Sequence, residues 1–235
     1  MGDRIQGAIE LISLDSRPAT SLTALDLSAG DGRSTRLLRD LGCRVFATEF
    51  KPSTPGWVAA DLRGSFPFRA ASFDLVLMLE VIEHLPDIAH AFGEIARLLK
   101  PDGIAIISTP NRLNVTSRIH YLLSGFYKGR RAPLPYRYGV NDGRNWHVMG
   151  LNDLHWIAHS NGLHLEALGR SRRKFRALLY APFLYFPIRL FSFFLYGHNA
   201  TDVEQSRLNR ELYRFMTSTS LLMDENLIMR FRKLS

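Results

Sequence analysis

Cysteine is almost missing from this chain: Cys43 is the sole one in 235 residues. A lone thiol excludes an internal disulfide, and no secretory apolar segment stands near Met1, so the expected compartment is the reducing cytoplasm. Gln6 stands where a myristoylation signal needs Ser or Thr, so no lipid anchor is indicated there. Internal repeats and low-complexity tracts are also missing. Acidic residues are fewer than basic ones, 22 against 30, leaving a net charge of +8. That balance attracts nucleic acid, an acidic membrane surface or a phosphorylated substrate without choosing among them. Much of the excess lies in Lys128-Gly129-Arg130-Arg131 and in Arg170 to Arg176, either of which alone would pass as a solvated basic face.

Apolar residues are plentiful, at 46%. A chain of this length can bury a full core, and one α/β domain over 1–235 is expected. Helical spacing of Ile5, Ala8, Ile9 and Ile12 predicts a helix over Arg4 to Leu14. Strands are predicted at Ala24 to Leu27, Arg44 to Glu49 and Trp57 to Leu62. Phe73 to Leu79 is apolar enough to be buried on both faces. Helices are predicted at Arg33 to Leu41 and Asp87 to Leu99, the latter stopped by a turn at Pro101-Asp102-Gly103 before a strand from Ile104 to Ser108. Such alternation produces a parallel sheet with helices on both faces. Residues 111–150 break the rhythm and are expected to be a lid or substrate-facing insertion. A helix over Leu151 to Asn161, a strand over Leu163 to Leu168, a polar helix from about Asp202 to Met216 and a last strand over Asn226 to Arg232 follow.

The densest chemical signal is Leu25-Asp26-Leu27-Ser28-Ala29-Gly30-Asp31-Gly32, an apolar strand entering a glycine turn and then a helix. Gly30 and Gly32 let backbone approach a ligand closely. Glu49, at the end of the next strand, can accept both hydroxyls of a ribose. These features describe a nucleoside site and leave several cofactors open. Together with Ala60 to Phe68 (ADLRGSFPF), Phe73 to Asp87 (FDLVLMLEVIEHLPD) and Leu98 to Asn111 (LLKPDGIAIISTPN), however, the turn resembles the ordered motifs of the class I S-adenosylmethionine-dependent methyltransferases, over roughly Leu22 to Leu168. Ser28 and Ala29 depart from the Gly and Cys common in that family. The resemblance implies a Rossmann-like, doubly wound, mostly parallel seven-stranded sheet and S-adenosylmethionine as cofactor. Ser28, Ala29, Gly30 and Gly32 would line the methionine and sugar, Asp26 would also serve cofactor binding, and Glu49 would hold the ribose. Phe50, Asp61 and Leu62 would meet the adenine, and Leu79 with Glu80 would face the sulfonium.

Glu80-Val81-Ile82-Glu83-His84 ends the buried strand with two acids and a histidine. The motif is similar to that of polyprenyl-quinone O-methyltransferases and small-RNA 3′-end methyltransferases, where these positions hold a divalent metal. By that resemblance Glu80, Glu83 and His84 would bind Mg2+ or a similar ion that activates an acceptor hydroxyl. The preferred plainer reading places Glu80 on cofactor and gives Glu83 and His84 structural hydrogen bonds. His84, Glu80 and His147, where the lid returns, are the candidate proton acceptors, although His147 can equally cap the helix that follows. Tyr121, Tyr127, Tyr136, Tyr138 and Trp146 can line an acceptor pocket or simply pack the lid.

Ala177 to Gly197 holds eight aromatics and one charge, Arg189. As a helix it would reach about 30 Å, long enough to span a bilayer. A lone crossing would put two strands of one sheet on opposite sides, so an interfacial or re-entrant hairpin broken near Pro182 and Pro187 is expected. The Arg170 to Arg176 cluster would then lie against anionic lipid at the inner face of a membrane. A core or dimer helix pair is the alternative. The expected activity is methyl transfer, at oxygen, to a small molecule, lipid or lipid-linked glycan. RNA methylation, a non-catalytic cofactor-binding scaffold and, more distantly, a dinucleotide dehydrogenase are the competing readings. No RNA-binding module is recognisable, which disfavours nucleic acid as partner.

Overall fold

A computed structural model describes residues 4–127, 149–173, 175–197 and 200–234. The strands are β1 (Thr23–Leu27), β2 (Arg44–Glu49), β3 (Val58–Ala59), β4 (Phe73–Leu79), β5 (Leu99–Pro110), β6 (Leu163–Leu168) and β7 (Asn226–Lys233). They form one seven-stranded sheet in the order β3-β2-β1-β4-β5-β7-β6. Pairings among β3, β2, β1, β4 and β5 are parallel, and β7 runs antiparallel to β5 and β6. The helices are α1 (Arg4–Ile12), α2 (Arg33–Asp40), α3 (Ile88–Leu98), α4 (Val115–Ser124), α5 (Leu151–Ser160), α6 (Phe175–Gly197), α7 (Val203–Met216) and α8 (Thr219–Met223). This is the doubly wound, mostly parallel α/β architecture expected.

β4 forms where it does because successive residues serve opposite cores. Val76 and Met78 enter the cluster under α3, with Phe92 and Ile95, while Leu75 and Leu77 join Leu11, Leu22 and Leu38 on the other face. Each such buried side chain contributes roughly 1.5–3 kcal/mol. Asp87 starts α3 by accepting the His90 amide at 2.9 Å.

Three boundaries differ from expectation. β3 keeps two residues of the predicted Trp57 to Leu62, because the Asp61 side chain accepts the Arg63 amide at 3.0 Å and turns the chain. The helix before Pro101-Asp102-Gly103 ends at Leu98, as expected, but that segment does not form a turn outside the next strand. It lies inside β5, where the register with β4 shifts and Asp102 takes a φ of 59°. The hairpin expected at Pro182 and Pro187 is also absent. α6 is one helix of 23 residues through both prolines. Each proline removes one backbone donor and crowds the carbonyl four residues before it, yet the helix continues, packed against α4, α7 and α8.

Candidate functional site

The carboxyl ends of the parallel strands carry the candidate residues, as expected for open α/β sheets. At the end of β1 the backbone reverses through three left-handed residues, Ser28 (φ 55°), Gly30 (φ 57°) and Gly32 (φ 71°). Glycine tolerates this, and a side chain added at Gly30 would meet nothing within 4 Å. The loop therefore presents open space that a ligand can fill. At Gly32 the neighbouring Trp57 ring already lies 3.0 Å from where a Cβ would stand. Ser28 carries its hydroxyl at the cost of left-handed strain, which explains why glycine suits this position. Thr48 pins the loop, its hydroxyl accepting the Ser28 amide at 3.0 Å and its carbonyl accepting the Ala29 amide at 2.9 Å.

Glu49 faces the loop. Its carboxylate accepts the Gly30 amide at 3.0 Å and the Phe50 amide at 2.9 Å, and the Ser28 hydroxyl approaches to 3.4 Å. Phe50 is 55% exposed beside it. The Arg63 guanidinium lies 5.7 Å from the Phe50 ring and also holds the exposed Asp61 carboxylate at 2.7 Å. That pairing keeps the Asp61 carboxyl at about 2. Leu62 is buried behind them. An open glycine cradle, an acid on its rim, an exposed ring and a second acid thus lie along the carboxyl ends of the first strands.

Asp26 is placed differently from expectation. It is 2% exposed, and its carboxylate accepts the Ser34 and Thr35 hydroxyls at 2.7 and 2.6 Å. It holds the loop to α2 from behind instead of meeting a ligand. Burial raises its pKa and the two hydroxyls oppose that rise.

At the end of β4, Glu80 also takes a left-handed φ, 58°. Strain of this kind in a non-glycine residue is a mark of functional sites. Its carboxylate accepts the Ser108 hydroxyl from β5 at 2.9 Å, and burial raises its pKa. Leu79 is half-buried just before it. Glu83 is 2% exposed, with Oε2 buried and unpaired. Burial, then the Glu80 charge, push its pKa up to about 7. His84 is half-buried on the same short turn. The metal alternative, the less favoured reading of the motif, finds no support: among the described residues no three His, Cys, Asp or Glu side chains converge as ligands. Glu80 turns to Ser108 and Glu83 into the protein, so Glu80, Glu83 and His84 do not form an Mg2+ set. His147, Tyr136, Tyr138, Trp146 and the Lys128 to Arg131 cluster lie outside the described residues. Tyr121 and Tyr127 stack at 4.2 Å.

A family model described as a methyltransferase domain matches residues 3–168, most of the chain. The chain belongs to the class I S-adenosylmethionine-dependent methyltransferases. A probable S-adenosylmethionine-dependent methyltransferase from Mycolicibacterium smegmatis is 33% identical over 119 residues, 47% of this chain and 42% of that protein. A ubiquinone biosynthesis O-methyltransferase from Bradyrhizobium sp. is 32% identical over 107 residues, 40% of this chain and 42% of that protein. The chain thus matches less than half the length of these relatives. An S-adenosylmethionine-dependent methyltransferase from Mesorhizobium loti has the same fold, with a TM-score of 0.54 at 16% identity over 97% of this chain and all of that one.

Thr48, Trp57, Arg63 and Ser108 shape the site although nothing in the sequence singles them out. Thr48 stands one residue before Glu49 and Ser108 ends an apolar run, positions whose partners only the sheet register reveals. Glu83 supplies a pH prediction. A carboxyl raised from 4.5 to about 7 keeps its proton in the folded chain while the unfolded chain loses it. Stability is therefore full below about pH 4.5 and falls as pH rises toward about 7, by on the order of 3 kcal/mol. Glu83→Gln removes this loss. Urea midpoints at pH 5 and pH 8 should lie further apart for the wild type than for the variant, which keeps only the shift from other raised groups such as Asp26 and Glu80; equal shifts in both would refute the assignment.

Proposed function

We propose that this chain transfers the methyl group of S-adenosylmethionine to an oxygen of a small-molecule or lipid acceptor at a membrane surface. The observation that carries the proposal is the open face of the left-handed loop at Gly30, rimmed by Glu49 at the carboxyl edge of the sheet. Ser28 to Gly32 would cradle the methionine, Glu49 would accept the ribose hydroxyls, and Phe50, Asp61 and Leu62 would flank the adenine. The cofactor supplies a methyl carbon already activated by a sulfonium, so the chain has mainly to position the acceptor, exclude water and take a proton. Glu80, at the end of β4 with its pKa raised by burial, would take that proton, with His84 on the adjoining turn. Transfer to oxygen is supported by the name of the Bradyrhizobium relative.

The membrane surface is supported by α6. Ala177–Gly197 is the described segment long and apolar enough to cross a bilayer. Phe183, Phe186 and Phe194 are 79%, 73% and 53% exposed. The antiparallel pairing of β6 with β7, which flank this part of the chain, keeps both in one sheet on one side of any bilayer, so α6 would lie in the interface with exposed Arg170, Arg172 and Arg173 near its start. Incubation with methyl-labelled S-adenosylmethionine and separate lipid, small-molecule, glycan and RNA fractions tests the proposal. Label is expected in the lipid or small-molecule fraction. Label in RNA alone would overturn the acceptor, and bound cofactor with no label anywhere would overturn transfer in favour of a scaffold.

A further inference from the structure

α4 begins shortly after β5 ends, and its N-cap is Asn114, whose side chain accepts the Ser117 amide at 2.9 Å. This start sets Arg118 at the carboxyl edge of the sheet. Arg118 Nε donates to the Leu113 carbonyl at 2.6 Å. Its Nη2 is different: it is buried and, among the described residues, has no hydrogen-bond partner. Burial lowers the Arg118 pKa from its usual value, yet a guanidinium stays protonated in proteins, so the cation remains with an unmet donor. Leaving such a donor unmade costs more for a charged group than for a neutral one.

Arg118 lines a pocket of about 400 Å³ between α4, the first turn of α5 and α6. That size lies within the roughly 300–1,000 Å³ of small-molecule sites. The wall opposite is apolar, built from Ile188, Phe191 and Leu195 of α6 and Met216 of α7. Polar groups are few: Tyr196, whose hydroxyl donates to Asn152 Oδ1 at 3.1 Å, and Ser192. One cation at one side of an apolar slot is complementary to a molecule with one anionic end and one apolar body. A polyanion would leave charges facing Ile188 and Leu195, and a neutral hydrocarbon would leave the Arg118 cation without a counter-charge. The slot is also walled by α6, which exposes Phe183, Phe186 and Phe194, so a ligand drawn from a lipid surface would meet it at the same helix.

We infer that this pocket binds a single-chain lipid amphiphile, with its carboxylate or phosphate head paired to Arg118 and its chain along Ile188, Phe191 and Leu195. Two parallel N–H donors of a guanidinium match either head group. That this amphiphile is the methyl acceptor rests on the proposed function; its binding does not.

Oleate and oleyl alcohol, titrated below their aggregation concentrations into the full chain, share a hydrocarbon body and differ in the head. Oleate should bind at least tenfold more tightly. Arg118→Gln should abolish that preference while keeping the weaker, chain-driven binding, and Arg118→Lys should restore part of it. Leu195→Trp, which fills the slot and leaves the Arg118 contact to Leu113 alone, should remove both ligands. Parity of the two probes in the wild type, or an unchanged preference in Arg118→Gln, would overturn the inference. S-adenosylmethionine titration of the same samples separates the readings: failure there with oleate preference intact defeats the proposed function and leaves the amphiphile site standing.

Discussion

Replacing Glu49 by alanine is expected to weaken S-adenosylmethionine binding by about 100- to 10,000-fold. The carboxylate would accept two ribose hydroxyls, and a hydrogen bond to a charged group contributes about 1.5–3 kcal/mol. Two such bonds amount to about 3–6 kcal/mol, and each 1.4 kcal/mol is roughly tenfold in affinity. The variant should remain folded. The amides of Gly30 and Phe50, which Glu49 accepts, lie where water can replace it. Calorimetric titration with a parallel thermal melt measures both quantities. Affinity within threefold of wild type would remove Glu49 from the site. Asp26→Ala is the instructive contrast: it strands the Ser34 and Thr35 hydroxyls in the interior and should act first on stability.

Changing Phe183, Phe186 and Phe194 together to serine should lower partition onto anionic vesicles by three orders of magnitude or more. At 100° per residue these three positions fall within about 80° of one another on α6. Burying each ring in the interface contributes roughly 1.5–3 kcal/mol, so three give about 4.5–9 kcal/mol. Their exposure, 79%, 73% and 53%, means that little packing is lost in the folded chain. Flotation with phosphatidylglycerol and phosphatidylcholine vesicles provides the measurement, with weaker binding to the neutral lipid expected from loss of the arginine contribution. A triple variant that floats like wild type would show that α6 does not seat the chain on lipid.

β2, β4 and β6 begin and end at the residues expected from sequence, Arg44–Glu49, Phe73–Leu79 and Leu163–Leu168. These segments are legible because β-rich apolar runs are bounded by Gly, Pro or polar turns, and burial then has a single solution. α4 and α8 are not foreseeable in the same way, although Asn114 and Ser218 are capping residues, because neither helix has a long apolar period. The glycine loop is legible for a local reason: it needs residues that accept positive φ. The directions of Glu80 and Glu83 are not, since Ser108 and Thr109, which hydrogen-bond them, belong to a strand paired more than twenty residues away. α6 is legible as an apolar run but not as one helix, because two prolines predict weakness in a helix while neighbouring helices decide whether it persists.

Titration of the wild-type chain with S-adenosylmethionine tests the central claim most directly. One saturable site per chain, lost in Glu49→Ala and kept in Arg118→Gln, is the predicted result. Absence of saturable binding in folded wild-type protein would contradict it.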